Sequence, residues 1–305
     1  VNDPECIIPM RKLLILPVAL LLFSCEDVID IEVKDGKQQL VVDAWLTDEP
    51  REQQVTLTLS QAYFNQESPQ PALGAEVYVV REDSTRFRFT DTDNDGIYTY
   101  NPRNRNFLRL NERVVLYIRY NSEEYYSVSQ LKRVPVIDSL KYQAITLPIK
   151  PADSPKSGYL AQFFANDFEG EGDTYLVRSY KNDVLRERSN EYTLSYDGGL
   201  SPGSKSDGML FLQPVRMGIN SGLFVDKDKV TVELHSIPLD AYYFLSQVQS
   251  QTNNGGIFAT PPANIPSNVF NLDPESAEKP LGLFFVSKVT RYTAIIDKNN
   301  VKSED

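Results

Sequence analysis

Short apolar segments whose side chains alternate at every second residue recur through most of this chain, and that period leaves few folds open. Gln39-Leu40-Val41-Val42-Asp43-Ala44-Trp45-Leu46 and Val55-Thr56-Leu57-Thr58-Leu59-Ser60 alternate or run β-branched between polar turns. After a Pro-rich loop at 67–72 come Ala75 to Arg81, Phe87 to Thr90, the turn Asp93-Asn94-Asp95-Gly96, and then Ile97 to Tyr100, Val114 to Tyr120 and Tyr125 to Leu131. About seven short strands at this spacing predict a β-sandwich of the immunoglobulin or transthyretin type over residues 38–135. Val134-Pro135-Val136-Ile137 reads as the crossing into a second β unit, 136–299. Its expected strands are 159–165, 174–180, 191–196, 209–212 and 229–235, with a closing strand from Leu281 to Ile296. One segment departs from the β period. Ile237, Ala241, Phe244, Leu245 and Val248 recur at helical spacing, with Ser236 and Pro238 as start signals and Gly255-Gly256 as the stop. The expected fold class is therefore mainly β, two sandwich units, the second with one amphipathic helix at about 238–251. The Gly, Ser and Asp residues of 197–208 read as a mobile connecting loop.

The start of the chain has a different character. Arg11 and Lys12 precede an apolar run, Leu13 to Phe23, and Ser24 stands directly before Cys25. This is the layout of a bacterial lipoprotein signal. The run is too short to cross roughly 30 Å of hydrocarbon, so a permanent membrane helix is not expected. Val1 to Pro9, with Asp3 and Glu5, does not suit an export signal and reads as an extension upstream of Met10. On this reading residues 1–24 are removed, Cys25 carries the lipid, and 25–37 form an acidic tether. The chain has two cysteines, Cys6 and Cys25. The mature chain is then thiol-free, which excludes disulfides, thiolate catalysis and Cys-based metal sites. Stability must come from buried apolar surface, for which a chain of this length suffices.

The net charge is −11, and no basic stripe is present. Such a chain repels phosphate backbones and anionic headgroups, so the anchor alone must hold it to a membrane and nucleic acid is not a partner.

Four features invite chemistry. Asp91, Asp93 and Asp95, followed by Gly96, match the first half of a calcium loop, but Pro102 stands where a bidentate Glu belongs. A β-turn joining two strands needs the same residues, and both readings stay open. His235 is the sole histidine. Val230, Val232 and Leu234 share one strand face, which puts His235 with Thr231 and Glu233 on the other, read here as wet, and no Gly-x-Ser-x-Gly elbow accompanies it. The acidic loop 166–173 offers carboxylates for glycoside hydrolysis but is Gly-interrupted, so it reads as solvated. The seventeen tyrosines suit half-buried strands better than a sugar platform. No cofactor and no enzymatic activity are expected.

Several segments, taken in order, resemble one family: Cys25-Glu26-Asp27-Val28-Ile29-Asp30, Leu40 to Asp48, Gly74-Ala75-Glu76-Val77, Gly96-Ile97-Tyr98, Ile137-Asp138-Ser139-Leu140, Ala241-Tyr242-Tyr243, Pro261 to Asn268 and Leu281-Gly282-Leu283-Phe284. Together they look like the Bacteroidota lipoproteins grouped as domain of unknown function 4249. An insert at 273–279 and the 197–208 loop, which carries no motif, depart from that pattern. The resemblance implies a lipoprotein of the outer membrane in which Glu26 and Asp27 resemble a surface-export signal, although the periplasm-facing leaflet stays open. It further implies a non-catalytic accessory of a TonB-dependent receptor, in nutrient uptake or envelope assembly. The alternatives are a fimbrial or adhesin-type subunit, for which Arg51 and Arg81 would be poor cleavage sites within strands, and a surface hydrolase.

Overall fold

A computed structural model describes residues 37–62, 65, 67–152, 154–186, 188, 191–254 and 264–301. The signal segment, Cys25, Glu26 and Asp27 lie outside these residues. The first half contains β1 (Leu40–Thr47), β2 (Gln53–Leu59), β3 (Glu76–Arg81), β4 (Arg86–Phe89), β5 (Ile97–Tyr100), β6 (Arg113–Tyr120) and β7 (Glu123–Gln130). The second half adds β8 (Ser139–Thr146), β9 (Ser157–Phe164), β10 (Thr174–Lys181), β11 (Val184–Leu185), β12 (Thr193–Tyr196), α1 (Gln213–Met217), β13 (Lys229–Ser236), α2 (Leu239–Thr252), β14 (Phe270–Asn271), β15 (Leu281–Ser287) and β16 (Val289–Ile295). The protein is mainly β, as the alternation predicts.

Two sheets, β15-β1-β2-β5 and β14-β7-β6-β3-β4, enclose the first core. Leu40, Val42, Ala44 and Leu46 alternate inward from β1, and Val114, Leu116 and Ile118 do the same from β6. Each large side chain buried this way stabilises the fold by about 1.5–3 kcal/mol. A further sheet, β11-β10-β13-β16 with β12 alongside β10, forms the second core with the β8–β9 hairpin and α1. Tyr175, Val177, Phe163, Phe211, Val230, Val232 and Leu234 are its centre.

The expected closing strand, Leu281 to Ile296, is two strands. β15 pairs in parallel with β1, from Val41 opposite Leu281 to Thr47 opposite Ser287. Only Lys288 separates it from β16, which pairs antiparallel with β13. The sequence hides this joint because both halves have strand character and a single residue divides them. Residue Gly282 marks the point of closest approach: at φ +111° it lies against β1, where a Cβ would collide with the Val42 carbonyl oxygen. Phe284 and Val286 face the first core, while Leu283 and Phe285 face a third, shared with Leu176, Ile237, Ala241, Tyr242 and Leu245.

Helix α2 appears where the helical spacing places it. Pro238, extended at φ −72° and ψ 159°, starts it, Asp240 sits in its first turn, and Asn253 ends it. Its buried face is Ala241, Tyr242 and Leu245. No helix among the described residues is long and apolar enough to cross a membrane.

Candidate functional site

The outward face of α2 meets the β7–β14 edge in an apolar groove of about 370 Å³. Tyr126, Val128, Tyr243, Phe244, Pro266 and Phe270 line it. Val128 is 46%, Tyr243 46% and Phe270 52% exposed, although all three are large and apolar. The Tyr126 and Phe270 rings lie 5.8 Å apart, and Tyr243 stands edge-on to Tyr242 at 5.4 Å. Asn268 holds the groove's floor in place: its amide donates to Asp240 and to the Phe284 carbonyl, both at 2.8 Å, and its Oδ1 accepts from the Phe284 N–H at 2.8 Å. A set of aromatic side chains in a polar rim is the composition of a contact surface.

A second concavity, of about 450 Å³, has a different chemistry. Asp43, Trp45, Gln54, Thr56, Arg178, Arg186 and Tyr192 line it. The Arg178 guanidinium lies 5.8 Å from the Trp45 ring centre, which packs tilted on Phe285 at 5.3 Å. Arg186 also lines an adjoining hollow of about 420 Å³ with Lys181, Arg188 and Glu191, and its Nε has no partner.

His235 is enclosed, contrary to the wet face expected for it. Strand β13 is central in its sheet and covered on both sides, so Glu233 is 0% and His235 3% exposed. Period two shows that the pair share a face, but not that β15 and the β1–β2 turn cover it. Arg291, directly opposite Glu233 on β16, donates to Glu233 Oε1 through Nε at 2.9 Å and also through its terminal nitrogen. Tyr180 donates to Oε2 at 3.0 Å, and His235 Nε2 lies 3.1 Å from the same oxygen. Burial opposes ionisation of Glu233, but His235 and Arg291 outweigh it and hold the carboxyl well below its ordinary range. Burial pushes His235 down from its ordinary value, against the pull of Glu233. A neutral imidazole fits its neighbours: Nε2–H donates to the acceptor-only carboxylate, and Nδ1 accepts from the Ser287 hydroxyl at 3.2 Å. This cluster is structural in its connections, tying β13 and β16 to β15.

The remaining sequence candidates fall as follows. The turn at 91–96 brings carboxylate oxygens of Asp91, Asp93 and Asp95 within 4.8 Å of one another. Asp91 is occupied by the backbone, accepting from the N–H groups of Asn94 at 2.8 Å, Asp95 at 3.3 Å and Gly96 at 3.1 Å. That is the turn reading of the motif in atomic form. In the acidic loop the carboxylates separate by environment. Asp173 pairs with Arg133 at 2.7 Å, Glu169 and Glu171 are exposed, and Asp167 is buried, receiving the Tyr175 hydroxyl at 2.5 Å. Burial pushes the Asp167 carboxyl up to about 6. The 197–208 loop is more than a connector, because Asp197 and Ser206 are buried within it. Arg51 lies in the bend between β1 and β2 and not within a strand, since the buried Gln53 side chain closes that turn on the carbonyls of Glu49 at 3.2 Å and Arg51 at 2.9 Å. Arg81 ends β3, 6% exposed and paired with Glu112 at 3.1 Å. Neither the groove nor the charged cleft was signalled by a motif: each is assembled from segments far apart in sequence.

No curated protein matches the chain. The model of one family, described as Domain of unknown function (DUF4249), matches residues 26–293, spanning both halves of the fold and both concavities. The chain belongs to that family.

Proposed function

We propose that the protein is a non-catalytic accessory of a TonB-dependent receptor, a Bacteroidota lipoprotein held at the outer membrane through lipid on Cys25 and directed to the cell surface by Glu26 and Asp27. The observation that carries a partner-binding role is the α2/β7/β14 groove, where Val128, Tyr243 and Phe270 stay about half exposed. Water-facing aromatic side chains of this size cost solubility and supply binding energy when covered. The layout of Arg11 to Cys25 supports the anchor.

The test is native co-purification from detergent-solubilised membranes. The wild-type protein should retain an outer-membrane receptor. Tyr243→Asp with Phe270→Asp should lose it, while the soluble domain melts within a few degrees of wild type. Retention of the receptor by that double variant, or recovery of the wild type without any receptor, overturns the reading. Separately, Cys25→Ala should move the protein from the membrane to the soluble fraction.

A second reading, capture of an anionic solute, is favoured by one observation: Arg178 and Arg186 converge beside Trp45. Trp45 is the lone tryptophan, so its fluorescence reports occupancy directly. Saturable quenching by anionic solutes that Arg186→Gln abolishes would support it.

A further inference from the structure

Three carboxylates from separate segments meet at the end of the second core. Asp167 follows β9, Asp197 follows β12, and Asp207 lies at the far end of the same 197–208 loop. One carboxylate oxygen of each lies within 4.8 Å of the other two. Asp167 is 6% and Asp197 7% exposed, and Asp207 is partly buried. Like charges held this close in a poorly hydrated place repel strongly.

The surroundings position these groups without neutralising them. Asp197 Oδ1 accepts from the N–H groups of Gly172 and Asp173, both at 2.8 Å, which joins the two loops. Asp167 Oδ1 accepts from Tyr175, which leaves Oδ2 buried and without a partner. Arg133 is turned to Asp173 and the Glu169 carbonyl.

An independent observation points to a ligand. Six buried side-chain polar atoms among the described residues lack a hydrogen-bond partner; two of them, Asp167 Oδ2 and Asp207 Oδ1, belong to this cluster, and a third, Ser206 Oγ, belongs to the residue preceding Asp207. Ser206 is 1% exposed, and its hydroxyl faces Gly199, 2.7 Å from where a Cβ would stand, just beyond Asp197. A buried polar atom without a partner costs about 1–3 kcal/mol, so two carboxylate oxygens of one cluster left in this state call for a common partner. One proton shared between Asp167 and Asp207 would serve both oxygens, but it offsets only one of the three negative charges. A divalent cation with several ligand positions can be held by all three carboxylates and offsets two of their charges.

We propose that Asp167, Asp197 and Asp207 form a calcium site that clamps the 166–173 loop to the 197–208 loop. The donor set is all oxygen, which selects a hard cation over zinc or copper. Calcium accepts six to eight oxygens in irregular geometry, whereas magnesium demands a near-octahedral shell and keeps its waters, so a cage built from two irregular loops favours calcium.

Isothermal titration of the EGTA-stripped full chain with calcium chloride, and separately with magnesium chloride, tests this. The expected result is a saturable calcium isotherm with magnesium at least about tenfold weaker, and a melting temperature that rises with calcium and falls back with EGTA. Asp207→Asn should weaken calcium at least about tenfold, yet melt in EGTA no lower than wild type, because it removes repulsion. Asp93→Asn with Asp95→Asn should leave the isotherm unchanged. Terbium emission excited through tyrosine gives a readout on the wild type alone, since Tyr175 touches Asp167. Absence of calcium binding and of terbium emission in the wild type overturns the proposal. So does binding that Asp207→Asn leaves intact, or that the Asp93/Asp95 variant abolishes. The groove variants serve as a control: losing the receptor while keeping the calcium isotherm separates the two proposals.

Discussion

Glu233 carries a full charge into a place with no solvent exposure, and Arg291, 42% exposed, brings the compensating charge in from the edge of the sheet. Removing one partner of such a pair strands the other. Arg291→Met should therefore destabilise the protein by about 3 kcal/mol in chemical denaturation. The double replacement Glu233→Leu with Arg291→Met should recover most of that loss, because no buried charge is left behind. The cluster also sets a pH dependence. His235 is shifted down from 6.5, so on acidification below 6.5 the unfolded chain takes up a proton that the folded chain refuses. Glu233 is shifted down from 4.5, so the stability it contributes is present above 4.5 and is lost as pH falls toward its folded value. Both effects have one sign. The cluster's contribution should fall from pH 7 toward pH 4. Asp167 opposes it, because its carboxyl is raised to about 6 and so stabilises the fold on acidification toward 3.8. Denaturation midpoints of Asp167→Asn should therefore fall more steeply with acid than those of wild type. The strand period identified Glu233 and His235 as neighbours on one face, but the covering of that face comes from β15 and the β1–β2 turn, which lie far away in sequence.

Among the elements, β15 is the member whose surroundings admit least change. Gly282 faces the Val42 carbonyl where any Cβ would overlap, and its φ of +111° disfavours other residues as well. Gly282→Ala should cost at least about 3 kcal/mol and loosen the β1 pairing. Urea denaturation measures the first, and faster amide exchange in 41–47 measures the second. The first-half strands were legible because each has one wet face, which writes the alternation into the sequence: β1 shows it from Leu40 to Leu46. Helix α2 was legible for the parallel reason, since Ala241 and Leu245 repeat along one side. The β15–β16 joint was not. Both stretches are strand-like, one residue divides them, and nothing local reveals that they belong to different sheets. The Asp167, Asp197 and Asp207 cluster was equally hidden, since its members come from two loops that each look solvated alone.

At the scale of the molecule, the 197–208 loop connects the second core to α2. The Tyr242 hydroxyl donates to the Leu200 carbonyl at 2.9 Å, and Tyr196 and Tyr242 stand edge to face at 5.8 Å. A cation that stiffens this loop should therefore quiet the helix as well. Hydrogen exchange in calcium and in EGTA should differ in 197–208 and in α2, with the β6–β7 pair unchanged; an effect spread evenly over the chain would argue against that route. The placement of β1 has a mechanical meaning too. Among the described residues β1 is the first strand, and in its sheet it lies between β2 and β15. If lipid at one end and a receptor at the other hold the protein under tension, the load enters along β1 while both neighbours grip it lengthwise. Its hydrogen bonds then share the pull as a lap joint does, instead of opening one after another like a zipper. Forced unfolding is a matter of rate, so a strand loaded in this way should keep the protein folded through brief tugs that would strip an edge strand away.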